Sequence, residues 1–599
     1  MSNLSQMKRE RMLAFLNTIR EEHKDDEEVL IALGEIENEL NSKKYGLVWE
    51  KHEEAVDVKM RDNIPVFTEV TDKEICTDID GNYNFLLEGD NLHSLRLLEK
   101  THRGKIDVIY IDPPYNTGNK DFKYNDCFVD KLDGYRHSKW LSFMEKRLVI
   151  AEKLLSDKGA IFISIDDNEE APLKMLCDEI FGEECFVANI SWQRTYSPRN
   201  DSKGLSSEVE HILLYSSNIV WNPNKLERTE KMDSIYKSPD NDPKPWTSSS
   251  VTAPDAVAHQ GMVYGIQHPF SGEIMYPTMG RHWALGQEQM LENMNVWAKY
   301  KLIEINDDEK RASLCGISAD DVRSGILAIM LDEPLEDARK KAQAVLEKGN
   351  WPYFYFTNKG KGGMRRKTYL EETDGRMPTN LWSFEEVGHT DGAKKELKAI
   401  FDGNIPFDTP KPIALMERII HIASSSDSIV LDFFAGSGTT AHAVLAYNAK
   451  HKDSHRRFIL CTNNENGICE DVTYARISNV INGYNQEKEI PANLKYYRTD
   501  FVSKDSDDVS TELLEHITEM VQLEQGIKID NKEYLIVLSD DEADELEQHW
   551  DRYPNIKALY ISKDVLLTTS QNTLFGSVPV HIIPDYYFKF ELREVGEAW

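Results

Sequence analysis

Hydrophobic positions change their rhythm several times along the chain. RMLAFLNTIR (11–20) and VLIALGEIENELNSK (29–43) carry apolar residues at three- and four-residue steps, which predicts a helical N-terminal region over 1–65. NFLLEGDNLHSLRLLEK (84–100) then reads as strand, turn and helix. KIDVIYI (105–111) is a β-branched run stopped by two prolines, and the helix LSFMEKRLVIAEKLLSD (141–157) leads into the buried strand GAIFISID (159–166). Strands alternating with helices over 66–190 predict a parallel α/β sheet. The rhythm lapses across 191–400, where KSPDNDPKPWTSSSVTAPDA (237–256) and WPYFYF (351–356) predict a mixed α+β, loop-rich region. It returns over 401–504 with IALMERIIHIAS (413–424), SIVLDFFAGSGTTAHAVLAYNAK (428–450) and RRFILCTNNEN (456–466). Two apolar strands, EYLIVLSD (533–540) and IKALYISK (556–563), flank an acidic helix and predict a small α/β module over 505–599. The simplest arrangement is one α/β domain split in sequence by a folded insertion.

Composition narrows the class. The chain has 599 residues, 40% of them hydrophobic, and no apolar run near the roughly 18 residues of a membrane span. Residues 1–24 show no apolar stretch of the secretory kind. Seven scattered cysteines without a CxxC pair exclude a disulfide scaffold and a zinc ribbon, and point to a reducing cytoplasm. The net charge of −33 argues against nucleic acid until its distribution is read. Residues 1–100 carry −10 and 501–599 carry −13, whereas 341–370 carries +6 and includes Lys359, Lys361, Arg365, Arg366 and Lys367. That cluster is the candidate for phosphate contact, while the acidic tail faces solvent or a protein partner.

Two motifs carry chemistry. SIVLDFFAGSGTTA is a strand, a glycine turn and a helix start. Gly436 and Gly438 allow close backbone approach, and Asp432, Phe434, Ala435 and Thr439 frame the turn. Glu465, at the end of the next strand, is placed to accept from ribose hydroxyls. A loop and acid of this kind serve NAD, FAD or S-adenosylmethionine alike. The second motif, Asp112-Pro113-Pro114-Tyr115, follows the strand IDVIYI. Two prolines end the ladder and leave carbonyls with fixed directions and no competing N–H. Asp112 can accept one hydrogen of an exocyclic amine and a proline carbonyl the other, which turns the nitrogen lone pair toward an electrophile. Tyr115 can stack on the ring that bears the amine.

DPPY and FxGxG in one chain resemble the amino-methyltransferases of DNA. The order, DPPY at 112 before FAGSG at 434, is similar to the β arrangement of that family, as are DPPYNTG (112–118), GHTDGAKKELKAIF (388–401) and TPKPIALMERII (409–420). KKYGLVWEKHEE (43–54), EGDNLHSL (88–95) and IPDYYFKFEL (583–592) resemble the Mod subunit of type III restriction–modification systems. The resemblance implies a Rossmann-like S-adenosylmethionine-dependent methyltransferase domain in two halves, 66–190 and 401–504. It also implies a target-recognition domain at 191–400, a helical region at 1–65 and a C-terminal assembly domain at 505–599. Lys411, in the KP segment, falls on the cofactor side. The implied activity is methylation of adenine N6 in double-stranded DNA, with the base flipped out and no metal required. The implied partners are a second copy of the chain and a helicase–nuclease restriction subunit. A solitary enzyme acting on adenine N6 or cytosine N4 is the alternative, and a non-catalytic binding module a third. CTNNEN departs from the more apolar strand of relatives, which weakens the assignment of Glu465 relative to Asp112.

Overall fold

The computed structural model describes residues 4–597, apart from 25, 42–48, 50, 79–80, 119–122, 125–126, 131, 198–204 and 530–531. Much of the 43–54 motif therefore lies outside the described residues. The chain divides into two compact units, residues 1–224 with 378–599, and residues 225–377.

The first unit is built on a ten-stranded sheet. Its strands in chain order are β1 (Asn63–Glu69), β2 (Tyr83–Glu88), β3 (Ile106–Ile111), β4 (Leu155–Ile165), β5 (Phe186–Gln193), β6 (Val209–Ser216), β7 (Leu381–Trp382), β8 (Ile429–Asp432), β9 (Arg457–Thr462) and β10 (Asn493–Ser503). They lie side by side as β1-β10-β2-β9-β8-β3-β4-β6-β5-β7. The six strands from β10 to β4 are parallel. β1, β6 and β5 each pair antiparallel with a neighbour. β2 is buried at every position and β3 at all but one, the near-continuous apolar signature of parallel strands covered on both faces. Six helices matter to the site: α1 (Asn91–His102), α2 (Arg136–Leu154), α3 (Glu170–Phe181), α4 (Ile413–Ala423), α5 (Thr439–Lys450) and α6 (Ala475–Asn482). Asp90 caps α1 by accepting from the Leu92 N–H.

Two boundaries differ from those read in the sequence. β5, β6 and β7 belong to the large sheet, so the separate unit is 225–377 rather than 191–400. The apolar run in β6 supplies the reason: VEHILLYS pairs with β4 from His211 to Ser216 and is buried at six of its eight positions, which places it inside the sheet. The C-terminal stretch holds its own parallel three-stranded sheet, β11 (Tyr534–Val537), β12 (Ala558–Ser562) and β13 (Val580–Ile583). Yet Ile517, Met520, Val521, Tyr587, Phe588 and Leu592 pack into the core of the large sheet. Residues 505–599 are therefore not separable from the first unit.

The second unit contains short sheets over 266–267, 274–275, 300–303 and 328–331, and over 246–249, 354–356 and 364–369. Trp246, Trp283, Trp297, Tyr264 and Phe356 form its core.

Candidate active site

β3 and β8 are adjacent parallel strands, paired at Val108 with Val430 and at Ile109 with Leu431. Their carboxyl ends deliver Asp112-Pro113-Pro114-Tyr115 and the glycine turn 434–438 to one place, although the motifs lie more than 300 residues apart in sequence. In open α/β sheets this end is where ligands bind. One cavity is lined from both motifs by Tyr110, Asp112, Lys411, Asp432, Phe434 and Gly436. Phe407, Thr409, Ala435 and Thr439 also line it.

The glycine turn is held rigidly. Asp432 Oδ1 accepts from the Phe434 N–H at 3.0 Å and Oδ2 from the Thr440 hydroxyl at 2.6 Å. Burial raises the Asp432 carboxyl to about 7; these two bonds oppose the rise, and the nearby Asp112 charge adds to it. Gly436 has φ +49° and Gly438 +72°, so both occupy the left-handed region, and a Cβ at Gly436 would approach the Phe407 ring at 3.3 Å. The fully buried Arg476 of α6 donates to the Ser437 carbonyl at 3.2 Å and the Thr439 hydroxyl at 2.8 Å. Burial lowers this guanidinium to about 10. Asn91 donates to the Phe433 carbonyl at 2.8 Å, which ties the turn to the start of α1.

The DPPY segment is braced as well. The Trp140 indole donates to the Pro114 carbonyl at 2.7 Å. Asn116, at φ +54° and buried, donates to Glu169 Oε1 at 2.6 Å. Burial raises that Glu169 carboxyl to about 7. The Tyr115 hydroxyl donates to Asp112 Oδ1 at 2.7 Å, and the Lys411 ammonium donates to the same oxygen at 2.8 Å and to the Tyr115 hydroxyl at 2.9 Å. Lys411 is thus bonded to the DPPY residues as well as lining the cavity. Burial depresses the Lys411 ammonium, but Asp112 and Glu210 outweigh it and hold it above the ordinary lysine value.

The other sequence candidates are distributed less compactly. Glu465 follows β9 on the exposed turn Glu465–Gly467, outside the residues that line the cavity. In the second unit, Lys359 and Lys361 are exposed at a turn, with Lys359 at φ +54°. Arg365 is partly buried and donates to Ser248; Arg366 is also partly buried, on the same strand. Lys367 corrects the expectation of a phosphate contact: it is fully buried, with its ammonium 2.7 Å from Asp240 and 2.5 Å from Asp242. On the strand 364–369 only Met364 and Lys367 are buried.

Sequence reasoning did not identify Glu210, Arg194, Trp140, Arg476 or Phe407. None stands in a recognisable motif. Only the spacing of Glu210 on a buried strand, a charge where an apolar residue belongs, was a signal.

The fold and this pair of motifs define a class. A family model described as DNA methylase (N6_N4_Mtase) matches residues 106–474, and the chain belongs to that family. The type III restriction–modification enzyme StyLTI Mod subunit of Salmonella typhimurium is 35% identical over 409 residues, covering 64% of this chain and 52% of that one. The EcoPI Mod subunit of Escherichia phage P1 is 28% identical over 485 residues, covering 73% and 66%. The type II methyltransferase M.KpnI of Klebsiella pneumoniae is 29% identical over 395 residues, covering 64% and 82%. The chain thus matches about half to two thirds of the length of these Mod subunits. Among the described residues, no helix is long and apolar enough to cross a membrane.

Proposed function

We propose that the protein transfers a methyl group from S-adenosylmethionine to N6 of an adenine flipped out of double-stranded DNA, as the modification subunit of a type III restriction–modification system. The observation that carries this reading is the meeting of DPPY and the glycine turn at one cavity between β3 and β8. The turn suits a nucleoside-bearing cofactor, because a side chain at Gly436 would fill the approach beside Phe407. Phe434, Ala435, Gly436 and Thr439 would hold it, with Asp432 behind them. Bound there, its sulfonium supplies an already activated methyl group.

The remaining work belongs to the protein. Asp112 and the Pro113 carbonyl accept the two amino hydrogens, so the nitrogen lone pair is no longer spread into the ring and points at the methyl. Flipping the base costs about a few kcal/mol, and stacking on Tyr115 returns part of it. A fixed geometry that excludes water then carries most of the rate. Asp at the first motif position favours adenine over cytosine. We extend the reading to a homodimer that docks a restriction subunit, supported by the similarity to Mod subunits. A second reading, a solitary methyltransferase, draws on the match to M.KpnI, which spans 82% of that enzyme.

Sequencing genomic DNA for modified bases, with and without the gene, tests the activity. N6-methyladenine at one recurring sequence is the expected result; unmodified DNA in both strains would refute it. Mass measurement in solution, alone and with the product of any neighbouring helicase–nuclease gene, distinguishes the subunit from the solitary enzyme.

A further inference from the structure

One oxygen of the acceptor that the proposed reaction needs is already occupied. Asp112 Oδ1 holds the Lys411 ammonium at 2.8 Å and the Tyr115 hydroxyl at 2.7 Å. An amine that comes to that oxygen meets a full cation already bound there, and opposite charges hold the ammonium on the carboxylate more strongly than a neutral N–H is held. Freeing Oδ1 for the amine therefore means moving Lys411, and a buried ammonium moves only toward another anion. One stands beside it. Glu210 Oε2, on β6, lies 3.3 Å from Lys411 Nζ and 3.4 Å from the Tyr115 hydroxyl. The side chains of Lys411 and Glu210 are 10% and 7% exposed, so water is a poor substitute for either. Arg194 holds the other oxygen, Glu210 Oε1, at 2.6 Å, which fixes the carboxylate with Oε2 turned to Lys411. Burial raises the Glu210 carboxyl, but Lys411 and Arg194 outweigh that and keep it below the ordinary value, so it remains an anion.

We propose that Glu210 is a positioning residue for base entry: it receives the Lys411 ammonium from Asp112 when the target amine arrives, and returns it when the base leaves. Between turnovers the Lys411–Asp112 pair keeps Oδ1 occupied. With a base in place, the ammonium rests on Glu210 and Asp112 is open to the amine.

This proposal rests on the methyltransferase reading, and its test separates the two. Glu210→Gln keeps shape and hydrogen bonding but removes the anion that receives Lys411. Methyl transfer should fall in kcat by about tenfold or more, the scale of one charged hydrogen bond, with S-adenosylmethionine affinity unchanged. Glu210→Asp should recover part of the loss. Flipping is read without cofactor, by the fluorescence of 2-aminopurine placed at the target position that genomic sequencing identifies. Glu210→Gln should lower that signal, Lys411→Met should raise it above wild type, and the double variant should regain the signal lost by Glu210→Gln. The Lys411→Met measurement stands even where Glu210→Gln fails to fold. Wild-type kcat in Glu210→Gln, or a Lys411→Met signal at or below wild type, would overturn the proposal while wild-type methylation stands. If the wild-type enzyme itself transfers no methyl group, the reading beneath it falls.

Discussion

Asp432 gives the sharpest physical test of the glycine turn. Its carboxyl sits at about 7, against about 3.9 in an unfolded chain. The protonated form is therefore the one the fold favours. The stability it contributes is complete below the unfolded value near 4 and is lost as pH rises through 7. At pH 6 the folded carboxyl is about nine-tenths protonated and at pH 8 about one-tenth, while the unfolded chain is ionised at both. The difference is about 1.4 kcal/mol of stability lost over those two units. Asp432→Asn removes the titration yet retains groups that can bond the Phe434 N–H and the Thr440 hydroxyl. Denaturant unfolding of both proteins at pH 6, 6.5, 7, 7.5 and 8 provides the comparison. Subtracting one from the other cancels the remaining titrations, including that of Glu169. The variant should gain on the wild type by about 1.4 kcal/mol from pH 6 to pH 8. A flat difference, or one of opposite sign, would refute the account of a carboxyl held neutral by burial. A cationic cofactor should pull the same group toward ionisation, so its binding heat should vary with the ionisation enthalpy of the buffer.

Asp112→Ala should abolish methyl transfer, read by incorporation of labelled methyl, while calorimetry finds S-adenosylmethionine binding largely intact. Gly436→Val forces a β-branched side chain into φ +49° and against Phe407, a strain of about 1–3 kcal/mol; cofactor binding should be lost with the fold retained by circular dichroism. Replacing Lys359 and Lys361 should flatten the salt dependence of DNA binding by roughly one unit of slope per lost phosphate contact. An unchanged slope would leave them as a solvated turn. Lys367→Met should act through stability, at about 3 kcal/mol or more, because it strands Asp240 and Asp242 without their buried cation. A thermal melt equal to wild type would contradict that.

The sequence by itself determined the local chemistry and most of the local structure. β-branched runs specify strands such as β3, paired prolines stop that strand beyond Ile111, and glycines at 436 and 438 allow a turn that other residues resist. These follow from sterics within a few residues, so they are legible without a fold. Strand neighbourhood is not local. That β3 lies beside β8, and so DPPY beside the glycine turn, depends on which strands exclude water together across 320 residues of chain. Burial is not local either. Lys367 reads as one of five basic residues, and only the packing of Asp240 and Asp242 around it makes it an internal ion pair. The boundary at 191 fails for the same reason, since β6 gains its partner on β4 only when the sheet assembles. Glu210 is the clearest case: in the sequence it is only a charge on an apolar strand, and it becomes an anion facing Lys411 because the tertiary structure brings β6, β3 and the segment before α4 to one point.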